Sequence, residues 1–142
     1  MSTLNDALSV SASALSAERT RIEVAVSNLA NVDSTRGTDG QPYRRRDVVL
    51  AADPKTRFDT ALGNAGVVGV KVADIVEDRS PFQRRYDPAH PDADKEGFVA
   101  MPNVDAPEEM VNMMSASRAY QANLMAVGLI SDVVKKAMEL GR

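Results

Sequence analysis

The residue types that most often perform acid–base or metal chemistry are scarce in this chain, which has one histidine, His90, and no cysteine. Zinc sites are built mainly from several histidine and cysteine ligands. A site at His90 would need carboxylates for all its other ligands, which is uncommon, so we interpret His90 as a surface loop residue. The absence of cysteine also excludes disulfides, thiolate nucleophiles and cysteine-based metal sites.

The segment DADKEG, residues 92–97, has the residue types that open a calcium-binding loop, with acidic side chains at positions 1, 3 and 5 and glycine at position 6. Position 12 of such a loop should be a glutamate that binds calcium through both carboxylate oxygens. Here it is Asn103, and no helical pattern precedes the segment. We therefore expect a turn with acidic caps and no bound metal.

Two clusters of arginine, residues 44–46 and 84–85, carry the groups that bind phosphate. An acidic residue follows each cluster closely, at Asp47 and Asp87, and no aromatic pattern suited to base stacking accompanies them. The formal net charge of −3 is also too small to imply nucleic-acid or membrane binding. We expect solvated loops, with ionic contact to an acidic neighbouring surface as the functional alternative.

Catalytic motifs are missing from the sequence. The 20 acidic residues form no recognisable catalytic frame, and there is no GxSxG, no P-loop and no GxGxxG after a strand. We therefore expect no enzymatic activity, no cofactor and no small-molecule substrate. The enzymatic alternative is a carboxylate-based hydrolase of the cell wall that uses acidic residues between 87 and 96 and has a defined cleft.

The distribution of glycine and proline indicates the elements that carry these residues. All 7 prolines and 6 of the 8 glycines lie between residues 37 and 107, and these two residue types are the strongest breakers of regular structure. The chain therefore divides into a helical segment 1–35, a turn-rich segment 36–104 and a helical segment 105–142. This order predicts a mainly α fold with a small β insertion (α+β), and the two helical segments are expected to pair.

The first segment has the 3-4 spacing of a coiled-coil seam and predicts a helix over residues 4–32. Arg19 is the one flaw in the spacing. The two rows of the seam are Leu8, Leu15, Ile22 and Leu29, and Ala12, Arg19 and Val26.

The last segment repeats this spacing without a break. Asp105 or Asn103 is suited to cap the start of its helix, and Gly141 is suited to end it. Two helices with such narrow seams predict either an antiparallel hairpin within the chain or additional packing against other copies or partners. The residues of the second seam are Met110, Met113, Ser117, Tyr120, Leu124, Val127, Ser131, Val134 and Met138.

The middle segment predicts short strands over residues 47–52, 66–78 and 97–101. Residues 80–82 and 86–94 are expected to be extended loops, because they are rich in proline and aspartate. The resulting β unit is expected to be too small to be stable alone.

The stretch SNLANVDSTRG, residues 27–37, places short polar side chains where the first helix should end. The side chains of Asn28, Asn31, Asp33 and Ser34 are of the kind that bond backbone groups exposed at a helix end. We expect them to fix the exit of the chain from the helix and to have no catalytic role.

Four stretches together resemble the bacterial flagellar axial proteins, and within these the basal-body rod family and its proximal branch. They occur in the family's order and cover both ends and part of the middle of the chain. The family's first helix closes with Ala-Asn-x-x-Thr-x-Gly-aromatic. Ala30 and Asn31 match it, whereas Ser34 and Arg36 stand in the Thr and Gly positions. The stretches are SASALSAERTRIEVAVSNLANVDSTR, PYRRRDVV, YDPAHPDADKEGFVAMPNV and EEMVNMMSASRAYQANL.

The resemblance implies a structural subunit of the flagellar basal-body rod, the drive shaft that transmits motor torque to hook and filament. It implies that the terminal helices pair as a coiled-coil inner domain, with the β-rich middle outside. It also implies stacking in a helical array with copies of the chain and with other rod subunits. Family members reach the periplasm through the flagellar type III export apparatus. The first residues lack a basic leader before an apolar stretch, and no apolar run is long enough to span a membrane. We therefore expect no cleaved signal peptide and no transmembrane helix, which agrees with this route.

The resemblance makes the helical seams the predicted assembly interface, with several polar residues in contact with neighbouring subunits. The alternative from another functional class is a soluble coiled-coil adaptor or secretion chaperone that forms a closed oligomer. The apolar interface residues are Leu8, Leu15, Ile22, Val26, Leu29, Met113, Tyr120, Leu124, Val127 and Val134. The polar interface residues are Asn28, Asn31, Arg118, Gln121 and Asn123.

Overall fold

The computed structural model describes residues 2–37, 39–53 and 68–140 as two long helices and four short strands, which confirms the α+β class. Among these residues, neither helix combines the length and the apolar character needed to cross a bilayer. In chain order the elements are α1 (Ser2–Ala30), β1 (Arg46–Asp53), β2 (Gly69–Glu77), β3 (Gln83–Tyr86), β4 (Phe98–Met101) and α2 (Ala106–Leu140).

Both helices lie close to their predicted positions. The predicted helix 4–32 is observed as α1, which ends at Ala30 and is followed by a turn. α2 begins at Ala106, so Asp105 occupies the N-cap position, and its carbonyl oxygen accepts the backbone N–H of Glu109 at 3.0 Å. The predicted end at Gly141 lies outside the described residues.

The three predicted strands are observed as β1, β2 and β4, within one or two residues over the part of the chain that is described. The first residues of the predicted strand 66–78 lie outside that part. β1 and β2 form one two-stranded sheet, and β3 and β4 form another.

The sequence pattern does not predict β3. Its sequence QRRY lacks alternation, and all four residues are exposed. The strand exists because it pairs antiparallel with β4, with Gln83 opposite Met101 and Tyr86 opposite Phe98. The rings of Tyr86 and Phe98 meet edge to face, with 5.2 Å between centroids. This cross-strand contact favours the pairing.

Two compact units divide the chain, and each draws on both helices and on the strands between them. The first unit comprises Met1–Thr20, Val49–Asp74 and Ser115–Arg142, and the second comprises Arg21–Val48 and Ile75–Met114.

In the first unit, β2 approaches α1 through a glycine. The backbone N–H of Val70 donates to Ser13 Oγ at 3.1 Å. A Cβ atom at the buried Gly69 would lie 3.0 Å from the same oxygen, so glycine permits this approach. The most buried helical side chains of the unit are also small, since Ala17 and Ala116 are 2% and 1% exposed. Small residues let packed elements approach closely.

The second unit has a compact core around β4 and the segment that follows it. Val99 is completely buried, and Pro102 is among the most deeply buried side chains. Met101 and Val104 are 6% and 4% exposed. The same unit buries two polar side chains, Asn28 and Glu109, described below.

The buried side of α1 does not include the second row of the expected seam. Ala12 and Arg19 are exposed, and Val26 is 47% exposed. Small residues occur all round α1, so more than one row with 3-4 spacing exists, and apolar spacing alone does not choose between them. The first row, Leu8, Leu15, Ile22 and Leu29, is partly buried. The buried residues of α1 are Ala17, Ala25 and Asn28.

Along α2, one row of the expected seam is displaced by one residue. Met110 and Leu124 were expected inside, but each is 48% exposed, while the neighbouring Glu109 and Ala116 are 2% and 1% exposed. The helix is therefore rotated about its axis relative to the expected seam, and this rotation buries the charged Glu109. The spacing of apolar residues does not predict that a charged residue is buried. The residues of the other row are partly buried: Met113, Tyr120, Val127 and Val134.

α2 also has a second apolar strip, on the side opposite its buried residues. Its members are exposed by between 51% and 68%, and their spacing keeps them on one side of a helix with 3.6 residues per turn. We call this strip the outer face of α2, and it consists of Val111, Met114, Met125, Leu129 and Val133.

Candidate functional site

The polar stretch after α1 folds into a turn held by its own side chains. Asn31 Nδ2 donates to the carbonyl oxygen of Ser27 at 2.8 Å, and Ser34 Oγ donates to Asn31 Oδ1 at 3.1 Å. The backbone N–H of Tyr43 then donates to the carbonyl oxygen of Ser34 at 3.1 Å. The expectation that Asn31 bonds exposed backbone at the helix end is confirmed, whereas Ser34 bonds a side chain.

Asn28 is the centre of this region and is 1% exposed. Its Nδ2 donates to the carbonyl oxygen of Arg46 at 2.8 Å and to Glu109 Oε2 at 3.0 Å. Its Oδ1 accepts the hydroxyl of Tyr43 at 2.9 Å and the backbone N–H of Arg46 at 3.0 Å. An amide side chain has two donors and two acceptor sites, so all of them are used within the chain.

Glu109 places a buried carboxylate at the first turn of α2, where it is 2% exposed. Its Oε1 accepts Arg45 Nε at 2.6 Å, and its Oε2 accepts Asn28. Burial alone would lower the pKa of Arg45, but the hydrogen bond and charge of Glu109, with Asp47 and Glu108, outweigh it and the pKa is raised. The helix N-terminus also favours a negative charge here.

Asn103 ties the strand region to the same centre. Its Oδ1 accepts the backbone N–H of Arg45 at 2.9 Å, and its Nδ2 donates to the carbonyl oxygen of Asp78 at 3.0 Å. The backbone N–H of Asp78 in turn donates to the carbonyl oxygen of Arg45 at 2.8 Å. We call the joined set the polar latch, and it consists of Asn28, Tyr43, Arg45, Asn103 and Glu109.

The acidic segment 92–97 forms a turn whose aspartate carboxylates accept hydrogen bonds from other groups of the chain. Asp94 Oδ1 accepts the backbone N–H groups of Phe98 and Glu96, each at 2.9 Å, and Asp94 Oδ2 accepts Arg84 at 2.8 Å. The bond from Phe98 is the largest cause that lowers the pKa of Asp94, although partial burial acts against it. Among the described residues, no group of three or more potential ligands is arranged to hold a metal ion.

The carboxylate of Asp92 is likewise bound by other groups of the chain. Its Oδ2 accepts Thr35 Oγ1 at 2.9 Å, and its Oδ1 lies 3.3 Å from the guanidinium of Arg36. The backbone N–H of Asp92 donates to Nδ1 of His90 at 3.1 Å. His90 is therefore a partly buried loop residue that stabilises a turn, in place of the plain surface residue expected.

The arginine clusters are held by the chain to a greater extent than solvated loops would be. The guanidinium of Arg44 stacks 4.3 Å from the ring centroid of Phe82, and that of Arg84 lies 4.8 Å from the ring centroid of Phe98. Arg85 lies 3.8 Å from Asp33. These contacts pair the arginines within the chain, while the side chains of Arg84 and Arg85 stay 59% and 55% exposed, as expected of solvated residues.

Two polar clefts, of about 290 Å³ and 520 Å³, lie in the second unit. Groups of both charge signs line them, including Arg21 and Glu108 in the smaller cleft and Arg36 and Glu77 in the larger. None of the lining residues falls between 87 and 96. The hydrolase alternative required acidic residues of that range in a cleft, and neither of these clefts has them.

Most of the predicted site residues are spread along the two helices and do not form one cluster. Asn28 and Asn31 are the exceptions, because both lie at the end of α1 and the turn after it. Arg118 and Gln121 are exposed, whereas Asn123 Nδ2 donates to the carbonyl oxygen of Ala119 in its own helix at 2.9 Å. Sequence reasoning missed the partners of Asn28. The only sequence feature that pointed to these partners was the pair of glutamates in the first turn of α2. Acidic residues at a helix N-terminus are explained equally well by the helix dipole.

Two family models match the chain, one at each end. The model described as "Flagella basal body rod protein" matches residues 8–37, and the model described as "Flagellar basal body rod FlgEFG protein C-terminal" matches residues 95–140. The first match covers most of α1 and the turn after it. The second covers β4 and α2.

Curated relatives match nearly the whole chain. A flagellar basal-body rod protein FlgC of Escherichia coli O6:H1 is 46% identical over 133 residues, which is 94% of each chain. FlgC of Salmonella typhimurium is 47% identical over 133 residues, also 94% of each chain. FlgC of Bacillus subtilis is 46% identical over 146 residues, 95% of this chain and 96% of the relative.

Proposed function

Since the chain belongs to the FlgC family of flagellar basal-body rod proteins, we propose that it polymerises in the proximal rod with copies of itself and with other axial proteins. It is a structural subunit of the flagellar basal-body rod and not an enzyme. The proposed polymer is the part of the drive shaft that carries motor torque towards the hook and filament.

The observation that carries this proposal is the outer face of α2. Five large apolar side chains stay exposed along one side of the helix, from Val111 at 65% to Val133 at 54%. Contiguous apolar patches on a soluble chain mark interaction sites. A subunit that must be covered by neighbours has a reason to keep such a strip, whereas an isolated globular domain does not.

We propose that α1 and α2 pair as a coiled coil that forms the inner domain of the rod subunit. The segments 1–35 and 105–142 would supply it, and segment 36–104 would lie outside. In the second unit, the bond between Asn28 and Glu109 joins the end of α1 to the start of α2, which supports an antiparallel sense. The half-exposed Val26 and Leu124 would then be covered by neighbouring subunits.

The polar interface residues take two roles in this proposal. Asn28 and Asn31 act indirectly, by fixing the exit of α1, since the bonding groups of Asn28 are all used within the chain. The exposed Arg118 and Gln121 contact neighbouring subunits directly. Asn123 is partly buried and bonds its own helix, so its contribution is also indirect.

We propose that the chain crosses the inner membrane through the flagellar type III export apparatus and functions in the periplasm without a cleaved signal peptide. Long helices with narrow seams are marginal in water. They are therefore compatible with transport in an unfolded state and with ordering on assembly.

The test is a deletion strain complemented by the full chain or by a chain with Leu124→Asp. We expect the deletion to abolish swimming and the rod, the full chain to restore both, and the variant to be exported without being incorporated into purified basal bodies. Normal swimming and complete basal bodies in the deletion strain would exclude the rod function. The adaptor alternative predicts instead a closed oligomer of the purified chain.

A further inference from the structure

We propose that Met114 and Met125, on the outer face of α2, are sites of reversible oxidation to the sulfoxide, and that a free copy oxidised there is not incorporated into a rod until it is reduced. The proposal rests on the proposed rod function and adds a regulation to it. The oxidant is a peroxide or a hypohalous acid, and the reductant is a methionine sulfoxide reductase that uses thiols.

The thioethers of methionine hold all the sulfur of this chain, which has 7 methionines and no cysteine. Oxidants that attack protein sulfur therefore find no thiolate to react with first. Six of the methionines lie at or after Met101, and five of these six lie in α2. The oxidisable groups are thus concentrated on one helix.

Exposure distinguishes these methionines from one another. Met114, Met125 and Met138 are 51%, 65% and 70% exposed, whereas Met101 is 6% exposed in the core of the second unit. Because the oxidant must reach the sulfur, susceptibility to oxidation follows exposure. We therefore expect the three exposed residues to be oxidised first and Met101 to be protected by the fold.

The surroundings of Met125 leave its sulfur open to solvent. The residues three and four positions away flank a side chain on a helix. For Met125 they include Gln121, Ala122 and Gly128, all of them exposed. A Cβ atom added at Gly128 would meet nothing within 4 Å. The neighbouring side chains on α2 therefore do not enclose this thioether.

Oxidation adds one oxygen atom to the sulfur. With hydrogen peroxide, a lone pair of the thioether attacks one peroxide oxygen and the O–O bond breaks. The other oxygen takes up the proton of the first and leaves as water, so that sulfur loses two electrons and the peroxide gains them. In the reverse reaction two thiols supply two electrons and two protons. The sulfoxide oxygen leaves as water, and the thiols form a disulfide.

A sulfoxide replaces apolar surface by a polar group in the middle of the outer face of α2. Met114 and Met125 are 11 residues apart, roughly three helical turns, and therefore lie on the same side of α2. A sulfoxide oxygen that is removed from water without a hydrogen-bond donor is costly. We expect an oxidised copy to be incorporated about tenfold less often than a reduced one.

Met138 provides a control within the same helix. It lies 13 residues after Met125, which at 3.6 residues per turn places it on another side of α2. Its exposure predicts that it is oxidised as readily as Met125. Its sulfoxide should not change incorporation, because it lies away from the outer face.

Peptide mass spectrometry of the purified full chain tests the chemistry without reference to the rod. During treatment with hydrogen peroxide, sulfoxide should form at Met114, Met125 and Met138 several-fold faster than at Met101. The two reductases, one for each sulfoxide epimer, should then remove it. Equal rates at Met101 and Met125, or sulfoxides that the reductases leave in place, would contradict the proposal.

The regulation is tested in a deletion strain that expresses the full chain and is exposed to peroxide while rods form. In these cells the sulfoxide fraction at Met125 should be about tenfold higher in free copies than in purified basal bodies. The fraction at Met138 should be similar in the two pools. Equal fractions at Met125 would overturn the regulation and leave the rod function intact, whereas absence of the chain from untreated basal bodies would overturn the rod function.

Substitution by leucine gives a second readout. Incorporation of each chain after peroxide is divided by the incorporation of the same chain without it, so that any effect of the substitution itself cancels. The ratio should fall about tenfold for the wild type and for Met138→Leu. It should stay near one for the double variant Met114→Leu and Met125→Leu. A double variant that loses as much as the wild type would refute the role of these two residues.

Discussion

Asn28 and Glu109 lie 81 residues apart in the sequence and are joined by a hydrogen bond of 3.0 Å between two side chains that are almost completely buried. Each also binds the segment that runs between the helices, Asn28 through Arg46 and Glu109 through Arg45. Three parts of the chain are therefore fixed at one point. Because buried polar groups are costly when unpaired, this point should be the most sensitive in the second unit.

Replacing Asn28 by alanine should lower the free energy of unfolding by about 3 kcal/mol, because it leaves several buried polar groups without partners. The measurement is urea unfolding of the purified chain followed by circular dichroism. Asn31→Ala is the control, since Asn31 is only partly buried, and it should cost about 1 kcal/mol. Equal losses for the two variants would mean that Asn28 has no special role.

Replacing Glu109 by glutamine should cost about 3 kcal/mol, since breaking a buried ion pair leaves the charge of Arg45 uncompensated on that side. Glu108→Gln is a control at the adjacent position. Glu108 is 60% exposed and 3.4 Å from Arg45, so its loss should cost within about 0.5 kcal/mol. The same unfolding experiment applies, and a larger effect at Glu108 would contradict the assignment.

Stability at acidic pH should depend on Asp94. Its pKa is lowered in the folded chain, first by the backbone bond from Phe98. A carboxylate with a lowered folded pKa contributes stability that is fully present above its unfolded pKa, about 3.9, and is lost as the pH falls through the folded pKa. Wild-type stability should therefore exceed that of Asp94→Asn at pH 6, and the difference should shrink below about pH 4.

The control for this experiment is Glu96→Gln, in the same turn. Glu96 is 74% exposed and 3.7 Å from Arg84, so its removal should change the pH dependence little. Unfolding curves recorded between pH 2 and pH 7 provide the comparison. A difference between wild type and Asp94→Asn that stays constant with pH would refute the assigned role of the carboxylate.

Gly97→Ala should destabilise the chain more than Gly40→Ala. Both glycines have positive φ, 83° and 77°, so each substitution should cost about 1 kcal/mol for the backbone alone. At Gly97 the added Cβ would also lie 2.9 Å from the ring of Tyr86, whereas nothing lies within 4 Å at Gly40. Thermal unfolding of the two variants isolates the steric part, and equal midpoints would exclude it.

The sequence was sufficient to predict the two helices and the strands of the middle segment, because glycine and proline are rare where the helices run, with only Pro107 and Gly128 in α2, and frequent where the turns occur. It was not sufficient to predict β3, whose residues become a strand only through pairing with Phe98 and Met101. Strand pairing depends on a partner distant in the chain, and a local pattern does not contain it.

The rotation of each helix about its axis was also beyond the sequence pattern. Two neighbouring rows of α2 contain apolar residues, so a row through Leu124 and a row through Ala116 were both consistent with 3-4 spacing. The choice accompanies the burial of a charged residue, Glu109, which pairs with Arg45. An apolar pattern assigns such a residue to the surface. The polar latch was missed for the same reason, although its central Asn28 was selected.

The outer face of α2 affects each copy of the chain in the interval before it is incorporated into a rod. An exposed strip of methionine, leucine and valine attracts any apolar surface, including other unfinished chains and proteolytic or chaperone systems that survey such surfaces. A free copy is therefore prone to aggregation and to proteolysis. The fraction of copies that is incorporated into rods should fall as the time that each copy stays free increases. Synthesis matched to the demand for new rods would limit this loss.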